Sequence, residues 1–276
     1  MEKIKYFNFD VKKIINDINF IKNKKKASRI ENSKNKISSL SDSLLIELQN
    51  GRFDKMPDDW DKIDANLNDM KSLYNDKFVG SEYYSIIKES QKVCPICGKR
   101  EVSELDHYYA ESIYYTFSVT PHNLVPICKE CNKNKLRIDS NSCDFHVFHP
   151  YFDEPYKLKY LKLNYTFING NFTPKIFIMD LPDKAKENEI IKNFELFKLI
   201  EFYEFEILKV FEDFKDNVVT LIKGNIEKDK IKELMKIRFE SETSADVNSL
   251  KNIFYECVID NFDNFYYFIL GKYIFV

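Results

Sequence analysis

All four histidines of the 276-residue chain and five of its six cysteines fall within residues 94–149. Inside that window run two Cys-x-x-Cys pairs, Cys94/Cys97 and Cys128/Cys131. Two such pairs about thirty residues apart suit a tetrahedral thiolate site for zinc, and four sulfurs fill every position around the ion, so the metal is expected to be structural. Pro95 and Gly98 favour the tight turn that lets the first two sulfurs face one ion. Binding of this kind supplies on the order of 10–16 kcal/mol to folding a small module. Between the pairs lie Glu104-Leu105-Asp106-His107 and Pro121-His122-Asn123-Leu124-Val125-Pro126-Ile127, and Asn132-Lys133-Asn134-Lys135 follows Cys131 directly. Metal-binding and acid–base groups are thus gathered in one stretch.

The elements that position this stretch are read from periodicity. Phe9, Val11, Ile14, Ile15 and Ile18, then Leu44, Leu45 and Leu48, keep helical spacing, and Ser41 or Asp42 is the expected cap of the second segment. Lys22 to Ser39 is polar and is expected to be a loop or an exposed helix. Met56-Pro57-Asp58-Asp59 reads as a turn, with Trp60 anchoring the next helix. After residue 150, Tyr156 to Ile168 and Phe172 to Met179 read as two strands of a hairpin joined at Asn169-Gly170-Asn171, with Pro174 needing an edge or a bulge. Asp183 to Gly224, Ile231 to Phe239 and Val247 to Phe268 read as helices. The chain is therefore expected to be α+β and mainly helical, in three regions: a helical N-terminal region over 1–90, the cysteine-bearing module over 91–153, and a β-hairpin plus helices over 154–276, the last a possible partner or oligomer interface.

Composition narrows the rest. The chain is 44% hydrophobic and 31% charged with a net charge of −2, which argues against wrapping long nucleic acid on a uniformly basic surface. Local basic clusters remain, at Lys22, Lys24, Lys25, Lys26 and Arg29, and at Lys129, Lys133, Lys135 and Arg137. No apolar run suits a signal peptide or a membrane span, so a cytoplasmic location without a membrane partner is expected. In that reducing setting paired Cys-x-x-Cys units bind metal more often than they form disulfides. Cys257, among apolar residues, reads as a buried small hydrophobe, and Cys143 lacks a partner at knuckle spacing.

The ordered set C-x-x-C, L-D-H, N-L-V-P-I-C, C-N-x-x-K over roughly residues 94–136 resembles the HNH endonucleases, whose ββα-metal fold carries a stabilising zinc. That resemblance implies a central ββα-metal module, hydrolysis of DNA phosphodiester bonds, a structural Zn2+ on the four cysteines and a catalytic Mg2+ or Mn2+. It places His107 as general base, Asp106 and Asn132 as ligands of the divalent cation, and Asn123 as the residue that fixes the loop orienting His107. Phosphodiester hydrolysis needs an activated water and relief of charge on the leaving oxygen. An imidazole of ordinary pKa near about 6.5 can accept the proton, and a Mg2+-like ion that keeps its waters needs only a carboxylate and an amide oxygen. Lys135, one turn after Asn132, is a candidate for a substrate phosphate. His122 reads as a surface loop residue, and His146 and His149 as structural. Because His149-Pro150-Tyr151-Phe152-Asp153 resembles a run found in bacterial HNH proteins, His149 is carried as a further site candidate.

Two departures stand out. Asn132 sits where many HNH proteins have His, and Ala110 where a proline is usual. Neighbouring residues of a regular strand point to opposite faces, so a turn or bulge at Asp106-His107 is expected to bring both to one site. Stand-alone HNH proteins of this general appearance act in bacterial anti-phage defence, some beside an SMC-like ATPase as in Septu-type systems. A partner protein of that kind, or a homo-oligomer, is expected to help engage DNA. The alternative is an inactive, zinc-stabilised nucleic-acid-binding or adaptor module.

Overall fold

Asp10 and Asn23 start the first two helices by the same device, each side chain accepting hydrogen bonds from backbone N–H groups that no helical carbonyl reaches. Helix α1 is Val11–Ile18 and α2 is Lys24–Gln49. Of the two alternatives for the polar stretch after Lys22, the largely exposed helix holds and the loop does not: it is the first half of α2, capped at Asn23 and not at Ser41 or Asp42. Ile30, Ser33, Ile37, Leu40, Leu44 and Leu48 form its buried stripe, with Ser33 Oγ accepting from the Ala65 N–H at 2.9 Å. Helix α3, Leu67–Leu73, opens on a capping box between Asn66 and Asp69. It runs into one π-helical turn, Tyr74–Phe78, and α4 follows at Glu82–Glu89.

The computed structural model describes residues 1–135, 145–153, 158–242 and 246–273. Two compact units divide the chain, Met1–Pro155 and Tyr156–Val276. In the first, the N-terminal helices and the cysteine-bearing stretch share one core: Ile14, Ile15, Ile30, Ile37, Met70, Leu73, Phe78 and Ile87 pack with Leu105, Val119 and Leu124. Strand β1, Glu104–His107, pairs antiparallel with β2, Leu124–Ile127, placing Asp106 opposite Val125 and His107 opposite Leu124. Helix α5, Lys129–Lys135, follows β2 at once. Trp60 is half-buried. It packs on Tyr114 and Tyr115, ring centroids 5.0 and 6.0 Å away.

In the second unit β3, Leu161–Ile168, and β4, Asn171–Ile178, form a hairpin closed by Asn169 and Gly170, both at positive φ (50° and 71°) as a tight two-residue turn requires. A two-stranded sheet has only edges, which is how Pro174, opposite Tyr165, is accommodated. The helical stretch from 183 to 224 is interrupted. Lys198 adopts a left-handed conformation (φ 53°) between α6, Lys184–Phe197, and α7, Leu199–Lys223. Helices α8, Lys228–Glu242, α9, Leu250–Asp260, and α10, Phe262–Tyr273, complete the unit. Phe172 stacks on Phe211 at 4.4 Å in an aromatic core that includes Phe214, Phe254 and Phe265. Cys257 is buried there as expected, and burial pushes its thiol up to about 11. Among the described residues no helix is long and apolar enough to cross a membrane.

Candidate metal centre and its neighbouring site

Cys94, Cys97, Cys128 and Cys131 are all buried, and their sulfurs lie within 4.8 Å of one another. The local chain is shaped for this. Gly98, at φ 63°, turns the backbone after Cys97, and its N–H donates to the Cys94 carbonyl at 2.8 Å. The N–H groups of Arg100 and Cys131 donate to Cys97 Sγ (3.5 Å) and Cys128 Sγ (3.4 Å). Sulfurs so close perturb each other strongly: hydrogen bonds from Cys128 and Cys131 drive the Cys97 thiol far down, while the Cys128 and Cys131 thiols are driven up. Four soft donors on a dry, preformed tetrad are what a structural zinc needs, and the tetrad is compatible with one. Cys143 and Arg137 lie outside the described residues.

The helix begun by the second knuckle lies against β1. Asn132 Nδ2 donates to Glu104 Oε2 at 3.0 Å, and Lys135 Nζ meets Asp106 Oδ2 at 2.7 Å. Glu104 and Asp106 are two apart on one face of the strand, and Asn132 and Lys135 are three apart on one face of the helix, so both pairs close across the same interface. Asp106 and Asn132 are therefore brought to one side of β1. The Asn132 amide oxygen is buried there without a hydrogen-bond partner. A buried acceptor left unpaired costs free energy unless some donor or cation meets it.

His107 alternates to the other face. No bulge separates it from Asp106: β1 stays regular through His107, and the chain bends only after it, where Tyr108 N–H donates to the Asn123 carbonyl at 2.8 Å. The His107 ring lies 4.5 Å from that of Tyr74. Its Nε2 is 2.9 Å from the Ser118 carbonyl oxygen. A carbonyl only accepts, so Nε2 carries the proton and Nδ1 is the free lone pair of the neutral ring. Burial lowers the imidazole pKa, opposed by the nearby carboxylates of Glu111 and Asp106. Glu111 had no signal in the spacing of the motif, yet one of its carboxylate oxygens is buried without a partner.

Asn123, fully buried, accepts from the Tyr109 N–H at 2.8 Å and donates to the Phe117 carbonyl at 3.2 Å. It therefore ties the turn after His107 to the loop that leads to Ser118. Lys135 is not displayed to a substrate. It is buried, and besides Asp106 its ammonium donates to the carbonyls of His107 and Tyr108 at 2.8 and 3.1 Å. All three of its N–H donors are spent inside the protein.

His149 is likewise enclosed by the protein. It is fully buried against Tyr108 at 4.0 Å, with Nδ1 accepting from the Tyr151 N–H. Asp153 accepts at 2.6 Å both from the His149 N–H and at the His146 ring. His122 is buried rather than on a surface loop, and desolvation pushes it down to about 3. Of the first basic cluster, Arg29 forms a two-pronged pair with fully buried Asp69 (2.7 and 2.6 Å), and Lys26 bonds Ser72 at 2.8 Å.

Fold and site together define an α+β, mainly helical protein with four clustered cysteines that could hold a zinc ion. Protein ea31 of Escherichia phage lambda is 27% identical over 120 residues, which is 43% of this chain and 40% of that protein's length. No family model matches the chain, and no solved structure matches it.

Proposed function

We propose that this protein is a metal-dependent endonuclease of the HNH kind that hydrolyses DNA phosphodiester bonds as the nuclease effector of a bacterial defence system. The observation that carries the reading is the His107 imidazole at the end of β1. The Ser118 carbonyl holds it at Nε2, Nδ1 is left as the base, and a carboxylate immediately precedes it. His107 Nδ1 takes the proton of an attacking water, and the developing imidazolium is stabilised by the Ser118 carbonyl and by Glu111 and Asp106. Burial keeps the ring neutral at neutral pH, and so able to accept a proton, while lowering its strength as a base. Because Asp106 and His107 leave β1 on opposite faces, a phosphate that meets both has to span the end of the strand.

A Mg2+ or Mn2+ ion is part of the proposal: Asp106 would offer it a carboxylate and Asn132 a buried, unpartnered amide oxygen, both hard ligands. Such an ion, when bound, polarises the phosphoryl oxygen and relieves charge on the leaving group. Cys131 precedes Asn132 on α5, so a zinc on the tetrad would fix that ligand's position. A partner such as an SMC-like ATPase, or a second copy of the chain, is proposed to supply DNA engagement that a net charge of −2 does not.

One observation favours a second reading, an inactive zinc-stabilised nucleic-acid-binding or adaptor module: Lys135 already neutralises Asp106. Incubating plasmid DNA with Mg2+ or Mn2+ separates the two. The nuclease reading expects cleavage by the wild type and its loss in His107→Ala. Equal cleavage by both removes His107 from the mechanism, and cleavage by neither favours the adaptor.

A further inference from the structure

We propose that Glu104 is a further positioning residue of this site: its carboxylate orients the Asn132 side-chain amide so that the amide oxygen is presented to a divalent cation. The inference rests on the reading of Asp106 and Asn132 as ligands of that cation, and not on any particular chemistry at phosphorus.

The geometry starts from the pleat of β1. Glu104 and Asp106 are two residues apart and share one face of the strand, and both meet α5, Glu104 through Asn132 and Asp106 through Lys135. Asn132 Nδ2 lies 3.0 Å from Glu104 Oε2. A carboxylate oxygen only accepts, so this contact admits the NH2 end of the amide and repels its carbonyl end. Hydrogen bonds to an ionised acceptor are among the stronger ones. The Asn132 side chain is thereby held in one orientation rather than two.

That orientation turns Oδ1 away from Glu104 to a buried place where, among the described residues, nothing donates to it. Lys135 stands one turn along the same helix face, but its ammonium serves Asp106 at 2.7 Å and the carbonyls of His107 and Tyr108 at 2.8 and 3.1 Å. An ammonium has three N–H groups, so none remains for Asn132. A buried acceptor kept unpaired is costly, and a free amide would relieve that cost by turning its oxygen elsewhere. Glu104 blocks the escape. The outcome is a preorganised hard oxygen donor on the Asp106 side of β1, the kind of ligand a Mg2+-like ion takes.

The test measures Mn2+ binding to the zinc-loaded full-length chain by the electron paramagnetic resonance of free Mn2+, an ion that does not displace zinc from thiolates. The component of binding lost in Asp106→Asn defines the site. Glu104→Gln removes the charge but keeps an acceptor for the amide, whereas Glu104→Met removes both; should Glu104→Met not fold, Glu104→Ala takes its place. Glu104→Met is expected to bind Mn2+ about 5- to 150-fold more weakly than Glu104→Gln, the penalty of an unpaired buried acceptor that the released amide escapes. In an Asn132→Asp background a carboxylate presents an oxygen either way round, so the difference between the two variants should vanish. A residue that merely links β1 to α5 would show no such dependence on Asn132. The side-chain 15N–1H signals of Asn132, assigned by their absence in Asn132→Asp, read the orientation without the divalent ion: they should be protected from solvent exchange in the wild type and in Glu104→Gln, and lose that protection in Glu104→Met.

Equal Mn2+ affinity of Glu104→Gln and Glu104→Met overturns the orienting role and leaves the cation site standing, and so does an unprotected Asn132 amide in the wild type. A wild type that binds no Mn2+ removes the cation site and this proposal together. One that binds Mn2+ and cuts no DNA refutes the nuclease reading alone, and the affinities still decide on Glu104.

Discussion

Replacing Lys135 with Met should destabilise the first unit far more than loss of a surface lysine. The aliphatic stem has a near-isosteric substitute, so packing is largely kept and the ammonium alone is removed. In the structure that ammonium bonds Asp106 at 2.7 Å and the carbonyls of His107 and Tyr108 at 2.8 and 3.1 Å, with the two side chains 8% and 12% exposed. Breaking a buried pair by deleting one partner costs about 3–5 kcal/mol, because the remaining charge is left uncompensated. The two freed carbonyls belong to the same event and add at the upper end of that range rather than beyond it. A solvated lysine, by contrast, is worth within about 0.5 kcal/mol. Urea unfolding at saturating zinc, followed by a probe in the first unit, measures the difference. The double variant Lys135→Met with Asp106→Asn should recover part of the loss, because it no longer strands a carboxylate. A destabilisation below about 1 kcal/mol, or strict additivity of the two substitutions, would refute the clamp and return Lys135 to solvent.

Two further outcomes follow from the cysteines and the buried histidines. The purified chain should carry one zinc, and Cys97→Ser or Cys128→Ser should abolish it and unfold the module, because the tetrad's binding energy is folding energy; metal analysis together with chelator-induced loss of structure checks this, and a metal-free protein of unchanged stability would contradict it. Acid should destabilise the first unit: His122 and His149 are held below their unfolded value by burial, so below pH of about 6.5 the unfolded chain takes up protons that the folded one refuses. Stability then falls by about 1.4 kcal/mol per pH unit for each histidine as the pH drops, down towards about 3 for His122. Between pH 6.5 and 5, with zinc held saturating, His122→Phe should lower that slope by one proton, and an unchanged slope would show that His122 is hydrated in the folded state.

How much of this could be read from the chain depends on how local each signal was. The cysteine pairs were legible because a knuckle is a five-residue turn whose Cys97-Gly98 step needs a positive φ, and the hairpin because Asn169-Gly170 encodes its own turn. The first half of α2 stayed open between loop and exposed helix because its stripe contains Ser33, a polar residue made core-compatible by a bond to Ala65, distant in sequence. The break between α6 and α7 was invisible for the opposite reason: the helical pattern runs through Lys198, and only packing forces its left-handed backbone.

At the site the division is sharper. Residue types and spacing by themselves determined that four sulfurs could share one ion, and that an acid, an imidazole and two amides lay near them in the chain. Only the tertiary structure decided which way each points. The pleat of β1 sends Asp106 and His107 to opposite faces, α5 turns Lys135 inward onto Asp106, and a π-turn from the N-terminal helices delivers Tyr74 to the imidazole. Thiol spacing is a property of a few consecutive bonds and survives in the sequence, whereas the direction of a side chain is settled by the partners that bury it, and those partners come from distant parts of the chain.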